Sequence, residues 1–178
     1  MMANRIPLIF LGVIVLIAVN LVMQVWWRSP KAPSGEIWTV TRVLTGQTVA
    51  AKSNAGITTR IRLLGIAAPW KEQEPWGNLA RQRLEQLVKD QPVVLEFDQE
   101  QKERGDRLQA YIWQGNTLVN AQLVKEGYVL ADVFPPNVKY ENKLKMLESE
   151  ARLLELGVWN PQDPMRISPR DFRRQVLR

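Results

Sequence analysis

Between Glu36 and Ile66 three runs rich in β-branched residues, EIWTVTRV, TVAAK and ITTRIRLLGI, are separated only by the short turns LTGQ and SNAG. Connections this short join neighbouring antiparallel strands, so the stretch predicts a three-stranded meander. The loop Ala67 to Gly77 contains Pro69 and Pro75 and breaks regular structure. Asn78 is then placed to cap a helix, NLARQRLEQLVKD, whose Ala80, Leu84, Leu87 and Val88 share one face. Two further strands, PVVLEFD and RLQAYIW, flank a charged loop from Gln99 to Asp106. Two more helices follow, VNAQLVKEG and PNVKYENKLKMLESEARLLELG, each closed by a glycine, Gly127 and Gly157. Five strands with helices between and after them predict an α+β domain: a five-stranded OB-type β-barrel with three helices.

Ahead of this domain Arg5 is the only charged side chain before Arg28, and Ile6 to Trp27 is almost uniformly apolar. As a helix that run would be roughly 33 Å long, enough to cross a bilayer. Trp26 and Trp27 followed by Arg28 and Lys31 resemble an interfacial belt. The expected organisation is therefore a single N-terminal transmembrane helix over 1–27, a Pro/Ser/Gly tether over 28–35, a folded domain over 36–160 and a basic tail over 161–178. Arg5 and the α-amine nearly balance Arg28 and Lys31, so the positive-inside rule leaves the side of the folded domain open. Beyond residue 27, 23 Lys and Arg face 18 Asp and Glu. RISPRDFRRQVLR, with five Arg and one Asp, reads first as a solvated tail and second as a strip for anionic lipid or nucleic acid. The chain has no His and no Cys, which excludes Ser-His-Asp and Cys-His catalysis and thiolate metal sites, leaving carboxylates as the plausible metal ligands.

Six ordered segments resemble the staphylococcal (thermonuclease-like) nuclease family: RVLTGQTV, RIRLLGIAAP, PWG, GDRLQAYIW, LVNAQLVKEGYV and ESEARLLELGVW. The resemblance covers Glu36 to Trp159. The resemblance implies an OB barrel with three helices and Ca²⁺-dependent hydrolysis of DNA and RNA phosphodiesters. It further implies two metal-binding Asp, one Glu base and two Arg. On this chain the first metal Asp falls at Gln47, with Thr45 at the acid two residues before it, the second falls at Ala67, and the Glu falls at Trp70. The arginines fall at Arg62 and Arg107.

From these positions the expectation is a catalytically silent domain, with no metal and no cofactor. Losing a general base alone typically costs 10² to 10⁴ in rate, and losing the metal adds to that. The expected role is an interaction module in a membrane complex, with Trp70 and Trp76 as the partner contact and Arg62 and Arg107 as an anion site. Two other readings stand beside it: a membrane-tethered nuclease using shifted ligands from Glu72, Glu74 or Asp106, and a non-catalytic binder of nucleic acid or anionic lipid.

Overall fold

The computed structural model describes residues 31–103 and 107–176. The meander is present as β1 (Ile37–Thr45), β2 (Thr48–Ser53) and β3 (Thr58–Leu63), each antiparallel to the next. Two register shifts in β1, at Val40/Arg42 and Val43/Thr45, coil it strongly. β5 (Pro92–Glu96) pairs with the start of β1, and β6 (Leu108–Gln114) pairs with β5. The parallel pairing of β3 with β6, Ile61 opposite Leu108, closes the five strands into a barrel. Closure removes the exposed edges that an open meander would leave. Three two-residue strands complete the sheets: β4 (Ile66–Ala67) pairs with β8 (Leu130–Ala131), and β7 (Thr117–Leu118) extends β6.

Strand alternation builds the core. Val40, Val49, Ala51, Ile61, Leu63, Val93, Ala110 and Ile112 point inward and are fully or almost fully buried. In β3 the residue between two core positions is Arg62, which is therefore carried on the other face, at the barrel mouth. Helix α1 (Trp76–Val88) buries Ala80, Leu84 and Val88, the face its periodicity gives. Helix α2 (Val119–Lys125) is bolted to α1 by a two-pronged ion pair from Arg83 to Glu126, at 2.6 and 2.7 Å. The buried Asn120 accepts from the Ile112 amide and donates to the Leu64 carbonyl, joining α2 to β6 and to the segment after β3. Helix α3 (Glu141–Leu153) buries Leu144, Leu147 and Ala151. The α+β barrel with helices expected from the sequence is the observed architecture.

Several boundaries differ. Helix α1 starts at Trp76, with Pro75 as its cap residue, and the Asn78 side chain donates instead to Glu74. Proline presets the backbone angle a first turn needs, so no polar cap is required. Helix α3 begins at Glu141, five residues after the start of the predicted segment at Pro136, following a turn through Pro135 and Pro136, and Leu154 past its end is exposed. The basic tail contains a fourth helix, α4 (Pro169–Val176). The apolar run 6–27 lies outside the described residues; among those described, no helix is long and apolar enough to cross a membrane.

Candidate functional site

A cleft of about 1180 Å³ opens at the barrel mouth. Its walls are the β1–β2 turn, the loop after β3, the start of α1, residues 132–137 and α4. The turn is pressed tightly into place. A Cβ on Gly46 would lie 2.7 Å from the Ala80 Cβ and 2.9 Å from the Ala68 Cβ, so only glycine lets the turn wedge between α1 and the loop.

Gln47, Ala67 and Trp70 all line this cleft, as the resemblance implies. The Gln47 side-chain oxygen accepts from the Ala68 amide at 2.9 Å, and its backbone carbonyl accepts from Leu63, so the residue staples the turn to the loop. Ala67 is buried and has no side-chain donor atom. Thr45 is engaged with the Gln47 amide at 3.3 Å. A calcium ion needs six to eight oxygen ligands, several of them anionic. A neutral amide already bonded to the backbone and an alanine do not fit that ion. Nor, among the described residues, do three Asp or Glu side chains gather where a metal could be held.

The two arginines differ from one another. Arg107 is paired with Glu103, which sits four residues earlier and also bonds to it through the backbone. The Arg62 side chain makes no hydrogen bond or ion pair with any described residue, although the residue is half-buried. Its pKa is lowered, first by burial; Glu103 and Asp132 pull it back up, while Arg107 and Arg173 push it down. A guanidinium stays charged under these conditions.

The cleft as a whole is cationic. Arg42, Arg62, Lys71, Arg81, Lys89, Arg107, Arg170 and Arg173 line it, against Glu72, Glu85, Glu100 and Asp132. Glu85 serves both Arg81 and Lys89, and Asp132 serves Arg170. Among the described residues, Arg42, Arg62, Lys71 and Arg173 have no carboxylate within 4.0 Å.

The aromatic pair expected at the rim is not a free surface. Trp70 is half-buried against Phe172 of α4, with ring centroids 6.4 Å apart, and Trp76 is half-buried at the start of α1 and does not line the cleft. Of the acids expected to be shifted ligands, Glu72 lines the cleft, Glu74 is taken up by Asn78, and Asp106 lies outside the described residues. Asp132, Arg170 and Arg173 line the cleft without having been singled out from the sequence. A signal for the last two existed: Ser168, Pro169 and Asp171 form a capping box with proline at the first helical position.

A closed five-stranded barrel with helices packed around it and an arginine-lined cleft at its mouth defines an OB-type α+β domain. The family described as staphylococcal nuclease homologue matches residues 60–161. The chain is 33% identical to a protein named thermonuclease from Staphylococcus intermedius, over 70% of this chain and 77% of that one. It is 26% identical to a thermonuclease from Staphylococcus hyicus, over 84% and 96%, and 30% identical to endonuclease YncB of Bacillus subtilis, over 68% and 61%. The chain belongs to the staphylococcal nuclease family.

This corrects the expectation that the chain is not an enzyme. These relatives carry nuclease names at 26–33% identity, which points to a family of nucleases and gives no support for lost activity. The inference from Gln47, Ala67 and Trp70 went too far because an absent side chain at one position describes that position only. Other acids reach the same cleft: Glu72 from the same loop, and Asp132 and Glu100 from segments that no local motif connects to it.

Proposed function

We propose that the cleft binds the phosphodiester backbone of a nucleic acid and that the chain acts on it as a nuclease, tethered to a membrane through residues 6–27. One observation carries the binding: Arg62 is half-buried at the mouth, facing a cationic cleft, with no acidic partner among the described residues. A buried charge is costly unless it is matched, and a phosphate matches a guanidinium in both charge and two-pronged geometry. The nuclease names of the relatives support phosphodiester hydrolysis as the reaction class. The apolar run and its Trp-Trp-Arg flank support the tether.

Within this reading Arg62 clamps the phosphoryl oxygens, and its partial burial strengthens the attraction as negative charge grows on them during attack by water. Arg107, held by Glu103, adds a second positive charge from the residue just before β6. Asp132 is the cleft carboxylate whose charge reaches Arg62, and its backbone is fixed to Gly65 at 2.8 Å. It is assigned the role of accepting the proton from water.

The test uses the full chain in detergent with single-stranded DNA and RNA, in buffers holding calcium, magnesium, manganese or a chelator. Binding at low salt and shortened strands in at least one buffer are expected, both lost in Arg62→Gln. Binding with intact strands in every buffer would remove the hydrolytic part. Absence of binding by the folded wild type at low salt would overturn the whole.

A further inference from the structure

Helix α4 lies past residue 161, where the family match ends, yet it is fastened firmly to the mouth. Phe172 packs on Trp70, the Gln73 amide donates to the Ile167 carbonyl at 2.8 Å, and Pro169 is buried. Arg170 pairs with Asp132 and lies 4.4 Å above the Phe134 ring. Ser168 closes the helix start, accepting from the Asp171 amide and donating to its carboxylate. A segment that merely trailed in solvent would have no use for this many ties.

One turn of the helix separates Arg170 from Arg173, so both occupy the same face. The first is consumed in docking. The second lines the cleft, has no carboxylate within 4.0 Å among the described residues, and its charge acts on Arg62. Arg174, by contrast, is paired with Asp171 and does not line this cleft. Of the four cleft cations without a carboxylate within 4.0 Å among the described residues, Arg173 is the one whose charge acts on Arg62, and the fold fixes the helix that carries it. Like charges so placed repel unless an anion lies between or beside them.

We propose that Arg173 is a second phosphate-binding residue, so that α4 grips the backbone phosphate next to the one at Arg62. This rests on the nucleic-acid reading above. It predicts a preference for strands with at least two consecutive phosphates over a mononucleotide.

The test measures binding of a labelled single-stranded oligonucleotide to the full chain in detergent across a salt series, for wild type, Arg62→Gln, Arg173→Gln and Arg174→Gln. Arg173→Gln should weaken binding about five- to tenfold, the effect of one charge-assisted contact. It should also lower the magnitude of the salt slope by about 0.7, as loss of one phosphate contact on a single strand does. Arg174→Gln should match wild type. If wild type binds, Arg62→Gln does not, and Arg173→Gln is indistinguishable from wild type in affinity and slope, this inference is wrong while the nucleic-acid reading stands. If the folded wild type does not bind at all, both fall together.

Discussion

Two charged side chains sit in the barrel's half-buried shell, and the protein treats them in opposite ways. On the flank away from the mouth, Glu96 accepts from the Trp113 indole at 2.7 Å, the Tyr140 hydroxyl at 2.8 Å and Lys139 at 2.6 Å. Three partners from β6 and the approach to α3 converge on one carboxylate. At the mouth, Arg62 has none among the described residues. The first arrangement stabilises the fold, since a buried carboxylate with its acceptors filled replaces the water it lost. The second gives the guanidinium no such partner among the described residues. A fold that can satisfy Glu96 so fully could satisfy Arg62 as well, and the difference supports the proposal that the partner of Arg62 is a ligand phosphate.

The largest expected effect is at the satisfied site. Glu96→Ala leaves an indole N–H, a hydroxyl and an ammonium without their common acceptor and should cost about 3 kcal/mol of unfolding free energy, read by denaturant titration. Nucleic-acid affinity should not change. Arg62→Met is expected to act in reverse, raising stability by about 1 kcal/mol because an unmatched, half-buried charge is replaced by an apolar chain of similar length. A loss of stability there would show that Arg62 serves the fold and would break the comparison. The smallest effect is in pH. Burial pushes the Glu96 pKa up, but the bonds from Lys139, Trp113 and Tyr140 outweigh it and hold it below the ordinary value. Glu126 behaves the same way, with Arg83 and Gln122 outweighing burial. A folded pKa below the unfolded one gives stability that is complete above the unfolded value of about 4.3 and disappears as pH falls through the lower folded value. The denaturant midpoint should therefore hold steady for these groups down to about pH 5 and drop below it, with a shallower drop in Glu96→Gln.

The same contrast explains what could be read in the sequence. The barrel strands were legible because each is a short run of β-branched or aromatic residues between turn or loop signals, and α1 because Ala80, Leu84 and Val88 recur at helical spacing. These signals are local. The parallel closure of β3 on β6 was not legible in the same way, since Ile61 and Leu108 are 47 positions apart and nothing near either names the other. Helix α4 carries few apolar residues, chiefly Phe172 and Val176, so periodicity is weak and its docking depends on Trp70, about a hundred residues earlier. Trp70 itself, read from its neighbours as an exposed contact, is covered by that helix. The site suffered the same limit. Arg62 and Arg107 could be placed by motif, whereas Asp132 and Arg173 reach the cleft only through tertiary packing.

The central claim, that Arg62 is matched by a phosphate from outside the chain, is tested most directly by thermal unfolding of the full chain in detergent, titrated with a short single-stranded oligonucleotide. A ligand that binds only the folded state raises the midpoint in proportion to the logarithm of its concentration. The account predicts such a rise for wild type and none for Arg62→Gln, although the variant alone unfolds no earlier than wild type. An equal rise in both proteins would contradict it.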